Sequence, residues 1–104
     1  MSKNLPIDTD TLVQVSKPKL KKPRLYKVVL LNDDYTPMEF VVYVLRTYFN
    51  MQEELAVAIM LKVHQSGSGV CGRFTREIAE MKVRDVLECA RLHEHPLQCT
   101  MEPD

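Results

Sequence analysis

Apolar and polar positions divide this chain into one stretch without a period and a longer one where periods of two and of three to four alternate. Over residues 1 to about 24 no period is sustained. Three of the six prolines and the basic cluster KPKLKKPR fall there among few large apolar groups. Such a segment buries too little surface to offset its ordering entropy, which predicts a flexible arm. From Leu25 the pattern changes. LYKVVLL, residues 25 to 31, is rich in β-branched and aromatic residues and ends at a cluster of turn formers, as a strand does.

Thr36 then stands at an N-cap position with Pro37 at N1 and Glu39 at N3, a capping box. The helix it opens, PMEFVVYVLRTYF, is apolar on nearly every face and is expected deep in the core. Asn50 and Glu53 repeat the cap signal before MQEELAVAIMLKVHQ, and Ser66-Gly67-Ser68-Gly69 stops that second helix. VCGRF reads as a strand whose end is open: Thr75 could cap a helix from Arg76, or the strand could run on through Ile78. The spacing of Val83, Val86, Leu87 and Ala90 is helical, and PLQCTM after Pro96 supplies a last strand. The order β-α-α-β-α-β predicts an α+β fold, with three helices packed on a small three-stranded antiparallel sheet. Residues 25 to 104 form its core domain and residues 1 to 24 the extension.

A length of 104 residues holds one domain, and 45% apolar with 27% charged residues excludes a collagen-like or largely disordered chain. The 14 basic and 14 acidic residues cancel, so nothing in the bulk charge calls for a nucleic-acid partner. No apolar run reaches the roughly 18 to 20 residues of a membrane span, and the N-terminus lacks a secretory pattern. A soluble, cytoplasmic protein without a membrane partner is expected. Cys71, Cys89 and Cys99 are odd in number, include no C-x-x-C pair and lie beside apolar neighbours, which reads as buried thiols rather than disulfides.

Enzyme templates are missing: there is no P-loop, G-x-G-x-x-G, G-x-S-x-G or H-E-x-x-H. Cys89, His93 and His95 are spaced loosely like metal ligands but have no fourth donor at a recognisable spacing, so neither a metal nor another cofactor is expected. More informative is the run Asn32-Asp33-Asp34 at the chain reversal after the first strand, which carries more negative charge than a turn needs. If the first two helices pack antiparallel, His64 near the end of the second approaches Asn32 and Asp33. Met38 and Val41 then face Met60 and Val63. The product is an apolar slot rimmed by a carboxylate, an amide oxygen and an imidazole, which suits an ammonium group with three donors and an apolar side chain beside it. A free protein N-terminus carries both on one residue. On this reading Asp33 meets the charge and Asp34 only sets the turn.

These residues resemble the ClpS family, adaptors that carry N-degron substrates to the ClpA–ClpP protease. The likeness runs from about Leu25 to Met101 and rests on YKVVLLNDDYTPMEFV, MLKVH, CGRFTREIAEMK and EHPLQCT in that order. It implies that Asn32, Asp33 and His64 bind the substrate's α-amino group. Thr36, Met38, Val41, Met60, Val63 and Leu97 would form the side-chain pocket, with Met38 as the gate against β-branched residues. It further implies that Tyr35, Glu77 and Lys82 dock on the N-terminal domain of the ClpA unfoldase, and that the second strand continues past Thr75. The expected protein is a monomeric adaptor and not an enzyme. It would select bulky N-terminal residues (Phe, Leu, Tyr, Trp), modulate ClpA substrate choice and use its N-terminal arm during delivery. Two rivals compete: a ribosome-associated or general interaction module, since fold does not fix function, and a small amine-modifying enzyme using His64 and Asp33.

Overall fold

The computed structural model describes residues 22–104, so the expectation of a flexible arm falls, apart from Lys22, Pro23 and Arg24, outside the described residues. The elements run β1 (Leu25–Leu31), α1 (Met38–Phe49), α2 (Glu53–Ser66), β2 (Ser68–Thr75), α3 (Arg76–Leu92) and β3 (Gln98–Pro103). The three strands form one antiparallel sheet, as the sequence predicts, and their order in it is β2-β1-β3. β1 is central, which explains why Val28, Val29 and Leu30 are buried in succession.

Val28 and Leu30, two residues apart, join the core with Cys71 of β2 and Cys99 of β3. Against them pack Phe40, Val41, Val44 and Leu45 of α1, Ala56, Met60 and Val63 of α2, and Ala79, Val86, Cys89 and Ala90 of α3. Gly72 pairs with Val28, and a Cβ there would stand 2.7 Å from Cζ of Phe74. The Phe74 ring occupies the space that a side chain at position 72 would need.

Several local expectations shift. α1 begins at Met38 with Pro37 at its N-cap and no side-chain cap, so the capping box of Thr36 and Glu39 does not form. The Thr36 hydroxyl instead donates to Oδ2 of Asp33 at 2.9 Å, because a nearby carboxylate is a stronger hydrogen-bond partner. Asn50 closes α1 rather than opening α2. It adopts the left-handed conformation at φ 57° and its N–H donates to the carbonyl of Leu45, a conformation Asn tolerates better than most side chains. Gln52 then takes the N-cap of α2 without a side-chain bond. α1 is also less deeply set than its composition predicts, with Tyr43 48% exposed.

β2 starts at Ser68, just after Gly67 ends α2 at φ 95°, and it stops at Thr75. The continuation past Thr75 implied by the family resemblance does not occur. Thr75 pairs with Leu25, the first residue of β1, so a longer β2 would find no partner on this strand. The chain turns directly into α3 at Arg76, with Thr75 at the N-cap position but without a side-chain cap bond.

Lys82 of α3 ties three elements together. Its Nζ donates to the carbonyl of Tyr48 in the last turn of α1 at 2.7 Å and stands 5.8 Å and 5.7 Å from the ring centroids of Phe49 and Phe74. A cation at a helix C-terminus over two aromatic faces is favourable on both counts. Replacing it by Met keeps the aliphatic stem and removes the charge-assisted bond. Lys82→Met is expected to lower stability by about 1–2 kcal/mol in urea denaturation, and an unchanged midpoint would show that the contact contributes nothing.

All three cysteines are free and buried. Burial pushes the Cys71 and Cys99 thiols up to about 12. The unfolded chain therefore ionises first, so this contribution is complete below the ordinary thiol value of 9.0 and is lost as pH climbs from there toward about 12. Cys71 and Cys99 are expected to resist a thiol reagent at pH 8 in the native protein and to react fully in denaturant. Fast labelling of either without denaturant would contradict their burial.

Candidate functional site

The turn after β1 is sewn to the turn after α2. Leu31 pairs with Ser68, and one residue on the Asn32 N–H donates to the carbonyl of Gly67 at 2.9 Å. Gly67 in turn donates its own N–H to Val63, which fixes the last turn of α2 where His64 sits. Two turns far apart in sequence thus share one edge of the sheet.

Between them lies a cavity of about 170 Å³. Asn32, Asp33, Asp34 and His64 form its polar rim. Its apolar walls come from Leu31, Val41, Met60, Val63 and Leu97, of which all but Leu31 are buried, and Thr36 and Met38 complete the lining. Met38 is 45% exposed, so it stands where a gate would rather than in the floor. The nine residues named from sequence for an N-terminal amine and its side chain all line this one cavity. Leu31 and Asp34 line it as well and were not named for it. The signal for Asp34 lay in the excess charge of the turn; Leu31 read only as the end of a strand.

The hydrogen bonds divide the two carboxylates. Oδ2 of Asp33 accepts from the Tyr35 N–H at 3.0 Å and from the Thr36 hydroxyl at 2.9 Å, and its carbonyl accepts the Thr36 N–H at 3.3 Å. Asp33 is therefore the residue that builds the turn, contrary to the expectation that Asp34 does so. The reason is reach: a short carboxylate at the first position of a turn meets the donors two and three residues on. Asp34 is exposed and accepts from Nδ2 of Asn32 at 3.2 Å. With its amide nitrogen held there, Asn32 keeps its oxygen as an acceptor. Among the described residues neither Asp33 nor Asp34 forms an ion pair. The rim is thus a set of hydrogen-bond acceptors with uncompensated negative charge above an apolar cavity, an arrangement that favours an amphipathic cation.

Tyr35, Glu77 and Lys82 do not line the cavity. The Tyr35 side chain is turned outward, leaving the residue 84% exposed, while its N–H anchors the turn. Glu77 is exposed on the first turn of α3. Lys82 is half-buried, with its ammonium on Tyr48. Of the loosely spaced metal candidates, Cys89 and His93 are neighbours, with Sγ 3.8 Å from Nδ1, and His95 is turned away to a ring. Nδ1 of His93 lies 2.9 Å from the Cys89 carbonyl, and His95 packs edge-on against Phe40 with ring centroids 4.5 Å apart. Among the described residues no three such side chains gather around one point, and no helix is long and apolar enough to cross a membrane.

Comparison with known proteins bears on this geometry. The family model of the ATP-dependent Clp protease adaptor protein ClpS matches residues 21–100. The ATP-dependent Clp protease adapter protein ClpS of Caulobacter sp. strain K31 is 66% identical over 88 residues, covering 85% of this chain and 81% of that protein. The ClpS of Rhodospirillum centenum is 61% identical over 93 residues, 89% of this chain and 86% of its own length. Among solved structures, Agrobacterium tumefaciens ClpS2 bound to L-phenylalaninamide superposes with a TM-score of 0.78 at 43% identity, over 80% of this chain and 100% of that one. The match spans β1 through the first half of β3, the whole frame on which the acidic turn and the apolar cavity are built, and it establishes that the chain belongs to the ClpS family.

Proposed function

We propose that this protein is an adaptor of the Clp protease that binds proteins through a free, bulky hydrophobic N-terminal residue and delivers them to a ClpA-type unfoldase for degradation by ClpAP. The observation that carries the reading is the unneutralised acidic rim above a cavity with apolar walls, in a chain whose relative is bound to L-phenylalaninamide. That ligand joins a primary amine to a benzyl side chain, the two features the rim and the cavity favour.

The ammonium offers three donors. Asn32 through its amide oxygen, His64 through a ring nitrogen and the carboxylates of the turn supply the acceptors. Asp33 was the carboxylate expected from sequence. The hydrogen bonds favour a division of labour in which Asp33 holds the turn and adds its charge, while Asp34, exposed and paired with Asn32, takes the direct contact. The side chain enters between Val41, Met60, Val63 and Leu97 under the gate of Met38, with Thr36 at the junction of the polar and apolar zones. Burying a Phe or Leu side chain contributes about 1.5–3 kcal/mol, and each charge-assisted hydrogen bond about 1.5–3 kcal/mol, before ordering costs. A micromolar constant needs about 8 kcal/mol, and one buried side chain with three such bonds spans about 6–12 kcal/mol before those costs.

No bond is made or broken by the adaptor on this account. It holds the first residue of the substrate and docks on the N-terminal domain of the unfoldase, raising the substrate's effective concentration at the pore. Tyr35 and Glu77 project outward for docking, and Lys82 supports that surface by fixing α3 to the end of α1. Occupying the same unfoldase domain also shifts which substrates ClpA accepts. The adaptor acts as a monomer in the cytoplasm.

Fluorescent peptides differing only at their start test the reading. Free Phe and Leu are expected to bind at about micromolar affinity or tighter, and free Ile, free Gly and acetylated Phe at least tenfold more weakly. Equal binding of free and acetylated Phe would overturn it.

The two carboxylates separate by a second measurement. Asp34→Asn is expected to leave the melting temperature unchanged and to weaken Phe-peptide binding about tenfold, the equivalent of one charge-assisted bond. Asp33→Ala is expected to lower the melting temperature as well, since it removes the acceptor for Tyr35 and Thr36. Full affinity in Asp34→Asn would return the direct contact to Asp33.

A further inference from the structure

Val41 and Leu97 both wall the cavity, yet they come from segments that the chain does not hold together. Val41 belongs to α1; Leu97 lies in the connector of residues 93–97 between α3 and β3. Their near neighbours join them. The His95 ring meets the Phe40 ring edge-on, with centroids 4.5 Å apart and planes at 60°. Phe40 is itself a core residue, so it is a fixed anvil. Behind the contact the connector is tied to α3: the His95 N–H donates to the Ala90 carbonyl at 2.8 Å, and the Glu94 N–H donates to Arg91 at 3.0 Å with Glu94 in the left-handed region at φ 61°. Pro96 then restricts the backbone between His95 and Leu97.

We propose that His95 is a positioning residue for side-chain selectivity: by packing on Phe40 it clamps the connector against α1, holds Leu97 opposite Val41 and so sets the width of the cavity. The inference rests on the N-terminal-residue reading given above. His95 does not line the cavity and acts through Leu97. His93 also lies near Phe40, at 5.3 Å, but it is exposed and its ring nitrogen is held by the Cys89 carbonyl of its own helix turn, so it fixes the end of α3 rather than the connector. An edge-to-face pair is directional, which suits a clamp better than a non-directional apolar contact does.

The consequence is a split between two kinds of recognition. Loosening the clamp lets Leu97 withdraw from Val41, which deprives a large side chain of contact and matters little to a small one. The rim of Asn32, Asp33, Asp34 and His64 belongs to the other two turns and keeps its hold on the amine.

The test uses the full chain with His95→Ala, His95→Gln and His95→Phe, and peptides starting with free Phe, free Ala and acetylated Phe. In His95→Ala and His95→Gln the preference for Phe over Ala is expected to narrow about two- to tenfold, the range one aromatic pair commands, while the preference for free over acetylated Phe stays as in the parent. His95→Phe restores the ring and is expected to restore the preference. Methyl resonances of Leu97 in the ligand-free protein are expected to shift in the first two variants and to return in the third.

A proportional loss for every peptide, an unchanged Phe-to-Ala preference, or a His95→Phe variant that behaves like His95→Ala would overturn the proposal. A parent protein indifferent to the first residue would refute the functional reading instead. The clamp would then stand or fall on the Leu97 resonances alone, with unshifted methyls refuting it. If His95→Ala does not fold, His95→Gln carries the same comparisons.

Discussion

The hydrogen bond from the Asn32 N–H to the Gly67 carbonyl continues the β1–β2 ladder past the last strand pair, Leu31 with Ser68. The polar rim of the site follows from where that bond puts the two flanking segments. On one side the chain leaves β1 into the acidic turn. On the other, α2 ends at Val63 and His64 in a turn that Gly67 closes at φ 95°, a conformation that favours glycine. No Cβ at Gly67 would meet a neighbour within 4 Å, so its requirement is conformational and not steric. The ladder bond thus joins an imidazole to a pair of carboxylates from 30 residues away in the chain.

Electrostatics at the rim depends on a separation of duties within three consecutive residues. A carboxylate that accepts two short hydrogen bonds from its own turn, as Asp33 does, is held in one orientation. Among the described residues its neighbour Asp34 meets the Asn32 amide alone, which orients that amide in turn. Neither charge is offset by a basic side chain among the described residues, although 14 such side chains exist in the chain. Keeping the charge uncompensated over an apolar cavity makes the site receptive to a cation.

Around this site the fold uses polar groups as fasteners. Lys82 closes the end of α1 that lies away from the acidic turn, and the His95–Phe40 pair fastens the connector near the start of α1. α1 is therefore held at both ends, and its buried face of Phe40, Val41, Val44 and Leu45 is presented to the core and the cavity as one rigid surface. Met38, at the free N-terminal edge, is left exposed enough to move with what enters.

Element order was legible in the sequence because hydrophobic period and turn chemistry are local: LYKVVLL is β1 as read, and Gly67 ends α2 as read. The set of residues around the cavity was legible too, since two antiparallel helices and an acidic turn leave few ways to combine Asn32, His64, Met38, Val41, Met60 and Val63. Local signals misled where another local contact competed with them. Thr36 lost its cap to Asp33, and Asn50 closed a helix that it was expected to follow. The end of β2 was undecidable locally, because it depends on where β1 begins to offer a partner, at Leu25 opposite Thr75. Which of two adjacent aspartates builds the turn is a matter of side-chain reach within four residues, which composition does not display; how Lys82 is held and how His95 reaches Phe40 were decided only by the packed structure, because a hydrogen bond or a ring contact between distant segments has no period to betray it.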